Sequence, residues 1–372
     1  MNDVTLYGSS LSLFTGRARS YLIKSGIPYR ETTPTTDHFK QHVLPKTGGR
    51  QSIPTIELPD GEVIRDGAAI VDYFEGDNGH RYSPITPKQH ILSLLFDVIG
   101  AEGLLRPAMH YRWNFPEQNL SFLQFHFESL MPVHLDRKAA AEKSMNQMRS
   151  ACQAFGAVPA TFKLVETLYE ELLEKLDTHF STQPYLLGGQ PCVGDFGMIA
   201  PFFGHLGRDP KPLSFMQQNA VRLFRWTERM NRPELDVGEF ETQDGVYLAD
   251  DVVPDSLIDV LQHLALDFIP ETRAAADCIN QWLDQQNDLE PLTNAERGVG
   301  FGAFEVRGEA ISALAQPYRF YLLQRVQDSF EAMNASDQNQ VKSMLERAHM
   351  ADVLALKISR RIGRENNREV WL

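Results

Sequence analysis

The chain has 372 residues, 42% of them hydrophobic, and sets 36 Lys and Arg against 49 Asp and Glu for a formal net charge of −13. That is enough apolar material for two domains and an appendage, and so acidic a chain has no global attraction for nucleic acid or anionic membranes. The start MNDVTLYGSS carries no basic or long apolar segment, and no run approaches the ~18 apolar residues of a spanning helix. Three scattered cysteines (Cys152, Cys192, Cys278) form no C-x-x-C pair, and 11 histidines are dispersed. These features predict a cytoplasmic protein without signal peptide, membrane span or metal site.

Strand and helix signals alternate at first. Residues 4–8 (VTLYG) read as a strand, 14–24 as a helix stopped by Ser25 and Gly26, and 28–33 as a second strand. The runs 53–58 and 62–65 flank Pro59-Asp60-Gly61, a turn in which proline presets the backbone and glycine accepts positive φ. Residues 68–75 are then helical. From about residue 86 strand signals vanish. The clearest amphipathic helix is 161–179, with Leu164, Leu168, Leu172 and Leu176 on one face. Residues 194–205 and 221–230 are further helices, and the polar, acidic stretch 238–254 reads as a connector. Beyond it lie helical patterns at 256–268, 271–286, 318–333 and 338–350, with a glycine-rich turn at 298–302 and a short strand at 303–306. No internal repeat is found.

Two stretches carry chemistry. In SSLSLFTGRAR, between the first strand and first helix, the helix start offers free N–H groups and a partial positive charge, which stabilise an anion such as a thiolate. Ser12 stands at its N-cap, where its hydroxyl either caps the helix or donates to a bound sulfur; serine's preference for this position favours the cap on this stretch alone. In QSIPTIELPDGEVIRDGAAIVDYFE, Pro54 before a strand marks an edge or a cis bond, and the adjoining peptide offers its backbone to an extended ligand. Asp66 then precedes a helix whose N-terminus can accept a carboxylate, although a plain loop and an Asp cap account equally for either half taken alone.

Together these stretches resemble the glutathione S-transferase superfamily. LYGSSLSLFTGRARSYLIKSGIPYRE resembles its first strand, active-site loop and first helix, with SLFTGRAR matching the serine-type pattern S-P-F-x-x-R-V-R at Ser12, Phe14, Arg17 and Arg19. IPTIELPDGEVIRDGAAIVDYFE resembles the segment V-P-x-L followed by l-x-E-S-x-A-I. PYLLGGQPCVGDFGMIAPFFGHLGRDP and WTERMNRP resemble the helical domain. The resemblance spans roughly residues 4–235. It implies a thioredoxin-like α/β N-terminal domain plus an all-α C-terminal domain, with additional C-terminal helices: residues 1–80, 86–237 and a mainly helical extension, 238–372.

The resemblance also implies roles. Ser12 would hydrogen-bond the glutathione sulfur, and with the helix start would lower the thiol pKa by ~2 units from ~8.5, about 2.7 kcal/mol. Ile53 would pair its backbone with the cysteinyl part, Pro54 would be the cis-proline, and Asp66 and Gly67 would meet the γ-glutamyl end, with Phe14 and Gln51 completing the site. Gly67 departs from the usual Ser or Thr and removes one hydroxyl, worth roughly 1.5–3 kcal/mol. Leu13 replaces a common proline. Cys192 replaces the serine of a capping box closed by Asp195, which marks Asp195 as a fold residue. Tyr7 is a rival activator, but it lies in a strand ahead of a serine-type loop. No cysteine precedes Cys152, which argues against disulfide exchange through a protein thiol. Met109, His110, Tyr111 and Trp113 are the candidates for a pocket taking a small-molecule electrophile, against ordinary helix packing. The expected activity is glutathione transfer to a small hydrophobic electrophile by a detoxifying homodimer. The alternatives are a non-catalytic binding or scaffold protein, and a glutathione-dependent dehalogenase or isomerase.

Overall fold

A computed structural model describes residues 3–240, 244–286, 288–295 and 297–372; positions 241–243 of the expected connector lie outside the described residues. The first eighty residues run β1 (Val4–Tyr7), α1 (Leu13–Lys24), β2 (Tyr29–Thr32), β3 (Thr55–Glu57), β4 (Val63–Arg65) and α2 (Gly67–Asp77). The sheet order is β2-β1-β3-β4, with β1 parallel to β2 and antiparallel to β3, and β3 antiparallel to β4. β1 is buried throughout, as an apolar run between covering layers requires.

Among the described residues, nine α-helices follow over residues 87–284. They are α3 (Pro87–Val98), α4 (Leu105–Trp113), α5 (Pro116–Leu130), α6 (Arg137–Ala154), α7 (Phe162–His179), α8 (Val193–Gly204), α9 (Pro210–Asn219), α10 (Val221–Met230) and α11 (Asp255–Asp284). A π-helical turn, Ile99–Gly103, joins α3 to α4. The helical part docks on the first domain where α1 packs against α8, and α8 also packs against α3. Glycines permit this approach. A Cβ on Gly204 would lie 2.3 Å from the Leu13 Cα, and one on Gly197 2.5 Å from the Asp97 Cα. Asp195 heads α8, accepting from the amides of Cys192 (2.9 Å) and Leu186 (3.2 Å) and from the Trp226 indole (2.9 Å), so the Cys192–Asp195 capping box is present.

Two features of the C-terminal region differ from expectation. The patterns at 256–268 and 271–286 form one helix, α11, which continues through Pro270. The missing proline N–H is tolerated because α11 packs along α7 and the hairpin that follows it. The region is also less purely helical than its sequence implied. It contains two hairpins, β5 (Phe301–Val306) with β6 (Glu309–Leu314) and β7 (Ile362–Glu365) with β8 (Arg368–Trp371), on either side of α12 (Pro317–Glu331) and α13 (Ala335–Arg347). Both turns use positive φ at their central pair, Arg307-Gly308 and Asn366-Asn367, the twist that two-residue hairpins need. α12 packs on α3, and the β7–β8 hairpin reaches β4 at the edge of the first sheet.

Candidate active site

The loop after β1 delivers Ser12 to the start of α1, where Oγ accepts from the Thr15 amide at 3.2 Å. The cap is therefore made. Among the described residues no acceptor takes the Ser12 hydroxyl proton. Arg17 and Arg19 hold α1 in place. Buried Arg17 pairs with Asp97 of α3, and Arg19 pairs with Glu31 at 2.7 Å.

The Ile53–Pro54 peptide is cis, and the Pro54 carbonyl accepts from the Asp66 amide at 3.0 Å. No hydrogen bond from the described residues reaches the backbone N–H or C=O of Ile53. Asp66 is held at φ 89° as the N-cap of α2, accepting from the amides of Ala68 (2.9 Å) and Ala69 (3.2 Å). The intervening Gly67 amide has no acceptor among the described residues. A Cβ at Gly67 would lie 3.2 Å from the Arg17 Cδ and 3.4 Å from the Phe14 carbonyl oxygen. A side chain here would press on an arginine pinned by Asp97, and this explains the departure from Ser or Thr.

The C-terminal region forms the opposite wall. The Tyr318 hydroxyl, at the start of α12, lies 2.8 and 2.9 Å from the two Asp66 carboxylate oxygens. It brings to this helix start the hydroxyl that Gly67 lacks. Glu369 of β8 receives Arg65 through both oxygens at 2.8 Å and Arg364 at 2.7 Å, with Arg50 at 3.5 Å. The Asn367 side chain accepts from the Arg65 amide (3.0 Å) and donates to the carbonyls of Val63 (2.8 Å) and Lys46 (3.0 Å), satisfying the open edge of β4. Arg325 of α12 bridges Asp97 (3.2 Å) and Asp72 (2.5 Å), tying α12 to α3 and α2.

Between these walls lies a cleft of about 160 Å³. Phe14, Gln51, Ile53 and Asp66 line it from the first domain, Glu102 from the π-helical turn, and Arg297, Gln316, Tyr318 and Glu369 from the C-terminal region. Burial works to raise the Asp66 carboxyl, but Arg364, Arg17 and Arg65, with the Tyr318 hydroxyl, outweigh it and hold Asp66 below its usual value. Glu102 behaves oppositely. Its burial dominates Arg319 and Arg297 and pushes its carboxyl up to about 7.

The expected residues thus divide. Phe14, Gln51, Ile53 and Asp66 meet at one cleft, with Pro54 and Gly67 beside them, whereas Ser12 is not part of its lining. Met109, His110, Tyr111 and Trp113 are buried and none lines it. α4 is packed against α5, α6, α7 and α9, and of these four residues Trp113 lines a different cavity, between α5 and α6. Met109 and Trp113 join an apolar cluster with Leu11, Tyr111 lies in the main core, and His110 bonds Glu166 (3.0 Å) and Asn114 (2.9 Å). The pocket expected on these four residues is not at this cleft. Sequence reasoning missed Tyr318 and Glu102. Nothing marks Tyr318 in the sequence, but Glu102 interrupts the apolar run DVIGAEGLL, a signal that could have found it.

No group of His, Cys, Asp and Glu able to hold a metal ion is found among the described residues, and no described helix is long and apolar enough to cross a membrane. Among curated proteins none matches the chain. Similar solved structures include a glutathione transferase, GSTFuA3, from Phanerochaete chrysosporium (14% identity, TM-score 0.44, covering 62% of this chain and 97% of that one). Another is a theta class glutathione S-transferase from Xanthomonas axonopodis pv. citri with glutathione bound (18%, 0.35, 62% and 92%). Residues 6–82 match the glutathione S-transferase N-terminal domain family. That match covers the first domain and places this domain in the family.

Proposed function

We propose that the cleft binds glutathione and that the protein is a glutathione transferase acting on a small hydrophobic electrophile. The observation that carries this reading is that backbone groups with no hydrogen-bond partner among the described residues stand at one cleft: the Ile53 peptide, which lines it, and the Gly67 amide, next to the lining residue Asp66. The Ile53 groups suit an extended cysteinyl backbone, and the Gly67 amide at the positive end of α2 suits the glutamyl carboxylate. Ser12, at the start of α1 with no acceptor for its hydroxyl proton among the described residues, is the proposed activator. It would stabilise the thiolate, which forms a C–S bond as a leaving group departs or a double bond is saturated. The reading carries with it the division into residues 1–80, 86–237 and 238–372, and a homodimer, which a single-chain mass by light scattering would remove.

The test is glutathione-dependent turnover of aryl halides, epoxides, enones and peroxides by the wild type and by Ser12→Ala. Loss of turnover with glutathione affinity retained is the expected result, and an unaffected variant removes Ser12 from the mechanism. A second reading, a glutathione-binding protein without catalysis, is favoured by one observation: Ser12 caps α1 and does not line the cleft. Calorimetric binding without turnover on any of these substrates would decide for it.

A further inference from the structure

The hairpin of α5 and α6 concentrates exposed apolar surface. Of the 13 large hydrophobic side chains that stand exposed among the described residues, five fall within residues 120–148: Leu120, Phe125, Val133, Leu135 and Met148. Between the two helices runs a groove of about 420 Å³. Its floor is Trp113, Ala141 and Met145, all buried, and Leu120 also lines it. Its rim carries two acids, Glu128 and Glu142, and two bases, Lys138 and Arg149. No hydrogen bond or ion pair from the described residues reaches any of these four side chains. An apolar centre ringed by uncommitted charges is the composition of an interaction surface.

Charge selects the occupant. The whole chain carries −13, so two copies repel at long range and meet most readily where local charge is balanced. This groove is balanced, two acids against two bases. The groove lined by Glu171, Glu174, Lys175 and Asp259 is not. Other faces of the helical part are already taken from within the chain. α12 and α13 lie on α3, α11 lies on α7, and the β7–β8 hairpin closes the edge of β4.

The order of charges along α6 is complementary to itself. Glu142 and Arg149 are seven residues apart, two turns along one side of the helix, with Met145 and Asn146 between them. About a two-fold axis, if one residue meets a second, the second also meets the first. An antiparallel crossing of α6 over its copy, centred between Met145 and Asn146, sets Glu142 of each copy against Arg149 of the other. A parallel crossing in register opposes like charges instead.

We propose that the α5–α6 hairpin docks on the same hairpin of a second copy of this chain, with Glu142 of each copy paired to Arg149 of the other. Two hairpins packed this way form a four-helix arrangement that closes both grooves. This names the contact face of the homodimer proposed above and rests on that reading.

The experiment is sedimentation velocity of the full chain over a concentration series, for the wild type, Glu142→Arg, Arg149→Glu and an equimolar mixture of the two variants. The wild type is expected to sediment as a dimer. Each variant alone sets like charges opposite each other at both contacts and is expected to weaken dimerisation about tenfold or more. A heterodimer of the two variants again opposes unlike charges at both contacts, so dimerisation is expected to return in the mixture. Both positions are exposed, so each variant is expected to keep the wild-type circular dichroism. A monomeric wild type removes the homodimer reading and this proposal together. A dimeric wild type whose variants dimerise equally well leaves the homodimer standing and overturns this face. Variants that dissociate and do not recover on mixing show that Glu142 and Arg149 do not meet, and overturn the proposal as well.

Discussion

Glu369→Gln tests how the cleft wall is held. Glu369 sits among Arg65, Arg364 and Arg50, and both it and Arg65 are nearly excluded from water, at 7% and 6% side-chain exposure. Removing one partner of a buried ion pair costs about 3–5 kcal/mol, because the surviving charge is left without solvent or counterion. Arg50 and Arg364 retain 34% and 16% exposure, so water relieves them in part, and Arg65 bears most of the penalty. The expected loss is therefore near the lower end, about 3 kcal/mol. It should be read by urea denaturation at pH 7, together with hydrogen exchange at the Arg65 amide, which is bonded to Asn367 only while the hairpin is docked. The wild type should protect this amide and the variant should expose it before global unfolding. A change within about 1 kcal/mol with unaltered exchange would show that the guanidinium cluster finds other compensation and that Glu369 does not hold the wall.

Ser12→Ala should lower stability by about 1 kcal/mol through loss of the α1 cap, whatever it does to turnover, and an unchanged denaturation midpoint refutes the cap as a stabiliser. Tyr318→Phe removes the hydroxyl that helps hold Asp66 below its usual value. A depressed carboxyl contributes stability above its unfolded pKa of about 3.9 and loses it as pH falls through the folded value, so the variant's acid unfolding, followed by circular dichroism, should begin at higher pH. Burial pushes the Lys24 ammonium down to about 7, against Asp236 and with Arg229 adding to the shift. The unfolded chain then binds more protons between about pH 7 and 10, so stability rises with pH across that window, and Lys24→Met should flatten the rise relative to wild type.

The first domain was legible because its signals are local. The Pro59-Asp60-Gly61 turn separates two short strands, and Asp66 caps the helix that follows, each within a few residues of its partners. The wall opposite was not, because Tyr318 meets Asp66 across 252 residues and no spacing rule reaches so far. The tail SRRIGRENNREVWL carries a local signal of its own. Asn366-Asn367 between two short runs is a hairpin pattern, and β7 and β8 pair around it. Met109, His110, Tyr111 and Trp113 look like a ligand pocket because aromatic and sulfur side chains suit both pockets and cores, and composition cannot separate the two.

The Asn367 amide that satisfies β4 lies 302 residues downstream of Arg65. At synthesis rates of about 5–20 residues per second, the ribosome needs on the order of 15–60 s to make the intervening chain. For that interval β4 is an open edge, able to pair with a neighbouring nascent chain. This protein therefore faces its greatest risk of misassembly early, while the segment that will cover the edge does not yet exist.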